Sequence, residues 1–397
     1  MQKSTHCRSD QPSLPTWNEF LKPFACATAR TNRHPAFWLT SAYIFSFQLL
    51  DAVRSAPQEV LVGPVSFNDD RHPLYPPEGE DPRPWEHGGV APNGNWADIL
   101  KRTLQQLTAL EHSQSHDGNR LFLHRLNKDL HEPDLRLAAF PSAVKQVDNM
   151  MKRDNADAFK FSKLLETDPA IEHAVWYQAN SVQYSRPANS LRGAIARLSQ
   201  DQMWRVITRV GIESSVWHVP HMQDWVDNQR IHAVVVAEVA AHLSGEIRCN
   251  EYVAGLVHGM GRLSIYRAAV RHRRGPAPEN EFVVQVCNQF YPVIGVLIGR
   301  VWDLEPAIVA AMGFHNAPNK APEAGKKAAW MIHLANIIAY TAAAEAEGLD
   351  SDGRVTLAQM KGVRFNAEEA FDVAHDALSE AEAFVAAQHL EAENQSS

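Results

Sequence analysis

Residues 252–261 read Tyr-Val-Ala-Gly-Leu-Val-His-Gly-Met-Gly, an unbroken apolar run that ends on a histidine and then meets two glycines. Tyr252 to Val257 is apolar throughout, with His258 at its end. Gly259 and Gly261 suit a turn or a close approach of two helices. They do not suit a nucleotide loop, because a phosphate-binding Gly-x-Gly follows a strand and opens a helix, and no strand precedes them here.

Outward from this run the pattern is helix after helix. Upstream, Ile231 to Leu243 carries Val234, Val235, Val236, Val239 and Leu243 and reads as a helix buried on most sides. Asp168-Pro169 places a capping carboxylate before a proline at the first helical position. Downstream, Asn366 followed by Glu369 resembles a capping box and opens an Ala/Glu-rich helix to about Glu391, with Phe371, Val373, Leu378 and Phe384 facing the bundle. No period-two alternation is long enough for a sheet, and no internal repeat is visible. The expected fold class from Leu137 onward is all-α, a multi-helix bundle.

The first 130 or so residues differ. Trp17 to Val53 reads as short aromatic-rich helices (a segment 1–56), and eight prolines between Pro57 and Pro92 mark 57–95 as linker or loop. Ile99, Leu100, Leu104, Leu107 and Leu110 form a helical stripe in a connecting region, 96–136. The bundle is expected to occupy 137–390.

Three histidines stand on or beside the expected helices: His232, His258 and His315. With Phe140-Pro141, Asp168-Pro169-Ala170, Asn180-Ser181 with Tyr184, and Ser190-Leu191 through Ala194-Ile195, they follow one another in an order that resembles the HDOD domain. HDOD is a branch of the HD superfamily, whose members hold metal through a first His, a His-Asp doublet and a later Asp. The Ala254-to-His258 segment and a tryptophan-led turn into a helix ending in His (Trp302 to His315) complete the likeness, over roughly Leu137 to Val385. The resemblance implies an HD-like helical fold. It also implies a bacterial regulatory protein of signal transduction, of a kind often fused to receiver or nucleotide-cyclising domains and acting through protein contacts.

The chain departs from the catalytic pattern at the metal. Gly259 stands where the doublet has Asp, and Asn336 aligns with the late Asp. A metal-dependent phosphohydrolase needs anionic oxygen ligands to hold its cations and to acidify a bound water. A glycine donates nothing and an asparagine only a neutral carbonyl, so the sequence predicts a degenerate site at His232, His258, Gly259, His315 and Asn336. Catalytic residues, metal and cofactor are all expected to be none; the three histidines are weak zinc candidates, and more often such residues are hydrogen-bonded core groups. The rival reading is a phosphohydrolase with a rebuilt His-rich site, drawing on Asp303 or Glu305.

Other features are read more plainly. Asn180 looks like a helix C-terminus tolerant of a left-handed backbone, and with Ser181, Tyr184 and Arg186 it is the alternative interaction surface. His112 and His116, four apart on one expected helix, make a poor metal pair. Arg271 to Arg274 reads as a solvated helix end, or less readily as an anion contact. The net charge of -8 disfavours nucleic-acid and membrane partners, leaving protein partners and an unknown small ligand. Cys7, Cys26, Cys249 and Cys287 have no paired spacing and are read as free thiols. No early apolar run is long enough for a bilayer, and a cytoplasmic location is expected.

Overall fold

Local signals in the chain translate into caps and helices that can be followed one by one. In the computed structural model, the described residues are 93–132, 140–153, 157–166, 168–180, 188–217, 219, 221–246, 249–271, 275–349, 353–359 and 365–396. They belong to one compact unit. The expected N-terminal helices (1–56), the proline-rich stretch up to Pro92, Cys7 and Cys26 lie outside the described residues.

In chain order the helices are α1 (Asn93–Ser113), α2 (Asp117–His131), α3 (Ser142–Lys152), α4 (Ala158–Leu165), α5 (Pro169–Ala179), α6 (Leu191–Arg197), α7 (Gln200–Val216) and α8 (Gln223–Ser244). They continue as α9 (Asn250–Val257), α10 (Met260–Val270), α11 (Asn280–Val301), α12 (Pro306–Phe314), α13 (Glu323–Ala346), α14 (Gly353–Gln359) and α15 (Ala367–Ser396). There is no strand among the described residues, so the fold is all-α. Asp168 caps α5, accepting from the Ala170 amide at 3.0 Å, and Ser199 and Gln202 close a full capping box on α7.

Helix α8 is the hub. Its apolar run from Val234 to Val239 is buried, as the sequence implied, because α9, α13 and α15 all pack around it. The decisive run at 252–261 becomes α9, a one-step turn at His258-Gly259, and α10. Its glycines serve close packing: a Cβ on Gly255 would strike the backbone of Ala237, and one on Gly261 would strike the carbonyl of Tyr291. Helix α11 has the length and mean hydropathy to cross a membrane, but it is mostly buried among its neighbours in the bundle.

Two further parts lock onto this centre. The α1–α2 hairpin sits against α10 and α11, with Phe122 edge-on to Phe282 at 6.3 Å and Asn119 bonded to Glu279 at 2.8 Å. Helix α15 is pinned by a buried carboxylate. Glu213 takes Arg230 at 2.8 Å and Arg209 at 3.3 Å, and both guanidinium groups lie over the ring of Phe384. Phe371 and Leu378 are buried beneath the same helix, while Val373 and Phe384 are part-buried.

The glycine contacts give a direct check. Gly261→Ala drives a methyl group into a carbonyl that α11 cannot withdraw, and we expect it to cost about 1–3 kcal/mol. A lowered urea midpoint with an unchanged slope measures this; a neutral effect would mean that α10 and α11 are not in contact there.

Candidate functional site

His232 lies in the middle of α8, His258 follows the last residue of α9, and His315 follows the last residue of α12. The structure brings all three together at their expected positions. The ring centroids of His232 and His258 are 5.6 Å apart, and those of His258 and His315 are 5.2 Å apart. Each residue is no more than 3% exposed. Asn336, from α13, meets them, its Oδ1 2.9 Å from Nε2 of His232.

Hydrogen bonds fix the tautomers. Nδ1–H of His258 donates to the Gly255 carbonyl at 2.7 Å, and Nδ1–H of His315 donates to that of Ala311 at 2.9 Å, since a carbonyl can only accept. That leaves Nε2 as the lone-pair nitrogen on both rings. On His315 it is already engaged by the Tyr291 hydroxyl at 2.7 Å, and that oxygen in turn accepts from Asn316 at 2.7 Å. His232 donates through Nε2 to Asn336 and stacks on Tyr340 at 4.2 Å.

At Gly259 the missing carboxylate has a replacement that is not acidic. A Cβ there would run into Nε2 of Gln229 and come within 2.9 Å of its Cδ, so the glutamine side chain fills the volume over the glycine. One turn on, Arg262 is buried against the ring of Tyr291, 4.0 Å from its centroid. Among the described residues no carboxylate lies within ion-pair distance of Arg262.

The electrostatics follow from this. Burial lowers the pKa of His258 to about 4, the Gly255 bond works the other way, and the Arg262 charge lowers it further. Burial also carries His232 and His315 well below the usual imidazole range, reinforced by His258 and Arg262. Arg262 remains charged despite its burial. Its neighbours Tyr266, Tyr340 and Cys287 (the last pushed up to about 12) are raised by desolvation, so they are neutral near pH 7 and do not balance it.

The residues do not fit the metal centre that the HD superfamily implies. A cation would meet Gln229 and Asn336 where oxygen anions are needed, a fixed guanidinium nearby, and a His315 lone pair spent on Tyr291. Among the described residues, no group of three His, Cys, Asp or Glu side chains forms a ligand set. Asp303 and Glu305 do not rebuild one. Both are exposed at the far end of α12 from His315, Glu305 in an ion pair with Lys152 at 3.3 Å.

Residues 137–318 match the model of the HDOD domain family. The chain carries an HDOD domain. Helices α13–α15 lie beyond the matched residues, although α13 supplies Asn336 and Tyr340 to the HDOD histidine cluster. Among solved structures, a Shewanella amazonensis protein provisionally called a metal-dependent phosphohydrolase is 17% identical, covering 70% of this chain and 98% of its own, with a TM-score of 0.49. A second protein of that organism, provisionally called a phosphohydrolase, is 21% identical over 66% and 97%, with a TM-score of 0.46. An HDOD domain protein of unknown function from Geobacter sulfurreducens is 18% identical over 64% and 91%, with a TM-score of 0.42. Among curated proteins no sequence matches the chain.

Other expected site residues fall elsewhere. Asn180 ends α5, but at φ -112 its backbone is not left-handed; its amide stitches the chain instead, donating to the Trp176 carbonyl at 2.9 Å and accepting from the Ala188 amide at 2.5 Å. Ser181, Tyr184 and Arg186 lie outside the described residues. His112 and His116 are not on one helix: the first is in the last turn of α1, and the second caps α2 through the Asn119 amide. Arg271 ends α10 as expected but pairs with Asp129 and is not simply solvated; 272–274 lie outside the described residues. Cys249 and Cys287 are free and buried. Gln229, Arg262, Tyr291 and Tyr340 were not anticipated. The legible signal was spacing, because Gln229 stands one turn before His232, and Arg262 stands four residues after His258 in a segment otherwise apolar.

Histidines held neutral in the fold take up protons when the chain opens, so between the folded and unfolded pKa the unfolded state binds more of them. Stability is therefore full above pH 6.5 and falls as the pH drops toward about 4 for His258. We expect His258→Gln to remove about 3 kcal/mol of that acid-side loss, read as urea midpoints at about pH 7 and about pH 4. An unchanged pH slope would contradict the burial of a neutral imidazole.

Proposed function

We propose that this HDOD protein is a non-catalytic, cytoplasmic regulatory module of bacterial signal transduction that works through contacts with other proteins. The observation that carries the reading is the substitution of charge in the pocket. Gln229 and Asn336 stand where acidic ligands are required, and a buried arginine supplies the positive charge that cations would otherwise bring. Such a pocket has no means of holding hard cations or of generating a metal hydroxide.

A surface suited to partners lies at the end of α5. Trp176 and Tyr177 are 37% and 59% exposed in its last turn, beside Asn180, and Phe159 at the start of α4 is 67% exposed. Aromatic side chains of this kind dominate binding energy where they become buried by a partner. The net charge of -8 favours protein partners over nucleic acid.

Metal analysis of the purified chain with a phosphodiesterase and nucleotidase screen tests the pocket. The expected result is no stoichiometric transition metal and no turnover above background. Stoichiometric metal together with turnover abolished by His258→Ala would overturn the reading. For the surface, Trp176→Ala with Tyr177→Ala is expected to leave the melting temperature within a few degrees while lowering co-purification of protein partners from the native cell by about tenfold. Unchanged recovery would place the contact elsewhere.

A further inference from the structure

We propose that the pocket at the start of α10 binds a small phosphate-type oxyanion, either inorganic phosphate or the terminal group of a phosphate monoester, between Gln229 and Arg262. The proposal deepens the regulatory reading by naming the ligand class of the same pocket, and it rests on that reading because the anion is held and not cleaved.

Three observations converge on this place. Helix α10 follows Gly259 as its N-cap, and no side chain caps the positive end of this eleven-residue helix. Directly over Gly259 lies Nε2 of Gln229, a donor with no partner on a side chain whose residue is 8% exposed. A buried donor without an acceptor costs about 1–3 kcal/mol, and an arriving oxygen anion removes that cost. Arg262, 7% exposed and facing no carboxylate among the described residues, adds a full positive charge one turn along. A guanidinium in this state matches a tetrahedral oxyanion in both charge and geometry.

His258 adds selectivity. Its Nδ1 is committed to the Gly255 carbonyl, so Nε2 presents a lone pair. Hydrogen phosphate and a monoester carrying a proton have a P–OH to donate to it, whereas sulfate near neutral pH has none. Asn336 and Tyr340 both touch His232 and both keep partial contact with solvent.

Calorimetric titration of the full chain with inorganic phosphate, sulfate and p-nitrophenyl phosphate tests the site. Saturable one-to-one phosphate binding is expected, with sulfate weaker by about tenfold, since one polar contact is lost. Arg262→Met is expected to weaken phosphate by about tenfold or more. Gly259→Asp should do the same by setting a carboxylate beside the guanidinium, and it displaces only the far end of Gln229, so the fold is retained. Absence of saturable phosphate binding to the parent chain, equal affinity for sulfate, or unchanged binding in folded Gly259→Asp would overturn the proposal. Release of p-nitrophenolate would instead overturn the non-hydrolytic reading and leave the anion site standing.

Discussion

The guanidinium of Arg262 rests on the face of Tyr291 while the hydroxyl of the same tyrosine bonds His315, whose ring in turn meets that of His258. This short chain of contacts holds the centre of the molecule in one electrostatic state. Burial keeps the three imidazoles neutral and the fixed cation beside them adds to it, while their N–H groups and lone pairs are used inside the protein. The backbone carbonyls of Gly255 and Ala311 and the amide of Asn336 supply those uses. The arrangement needs Gly261, which lets α10 lie against α11, and so the packing of the fold and the chemistry of the pocket have a common origin.

The cluster therefore joins three oriented imidazoles to a surrounding without acidic ligands. Imidazoles oriented by backbone carbonyls are what a metal ligand set also requires. What differs is the charge around them: neutral amides at Gln229 and Asn336, and a cation at Arg262. Hydrolysis through hard cations is disfavoured by that charge, and recognition of an anion is favoured by it. The hairpin of α1 and α2, together with α13 and α15 beyond the matched HDOD residues, packs around this centre from chain on either side of it, so the folded unit is larger than the family segment.

Much of the architecture was legible in the sequence because it rests on local rules. Asp168-Pro169 starts a helix, the valine run in α8 is buried, and Gly261 permits a close crossing. The three histidines and Asn336 were legible by order along the chain. What escaped was pairwise and non-local. Nothing in the sequence says that Gln229 occupies the space above Gly259, or that Tyr291, thirty-odd residues from His258, links Arg262 to His315. Asn180 looked like a left-handed helix end, yet its backbone is not left-handed and its side-chain oxygen accepts from the Ala188 amide eight residues on. Asp303 and Glu305 looked near His315 in sequence, but a helix of nine residues separates them in space.

The most direct measurement is the imidazole nitrogen-15 spectrum of the full chain near neutral pH, before and after addition of zinc or manganese. The account predicts that His258 and His315 are neutral with the proton on Nδ1, and that their signals do not move with metal. Nε2 resonances of His258 and His315 that shift stoichiometrically to metal-bound positions would contradict it.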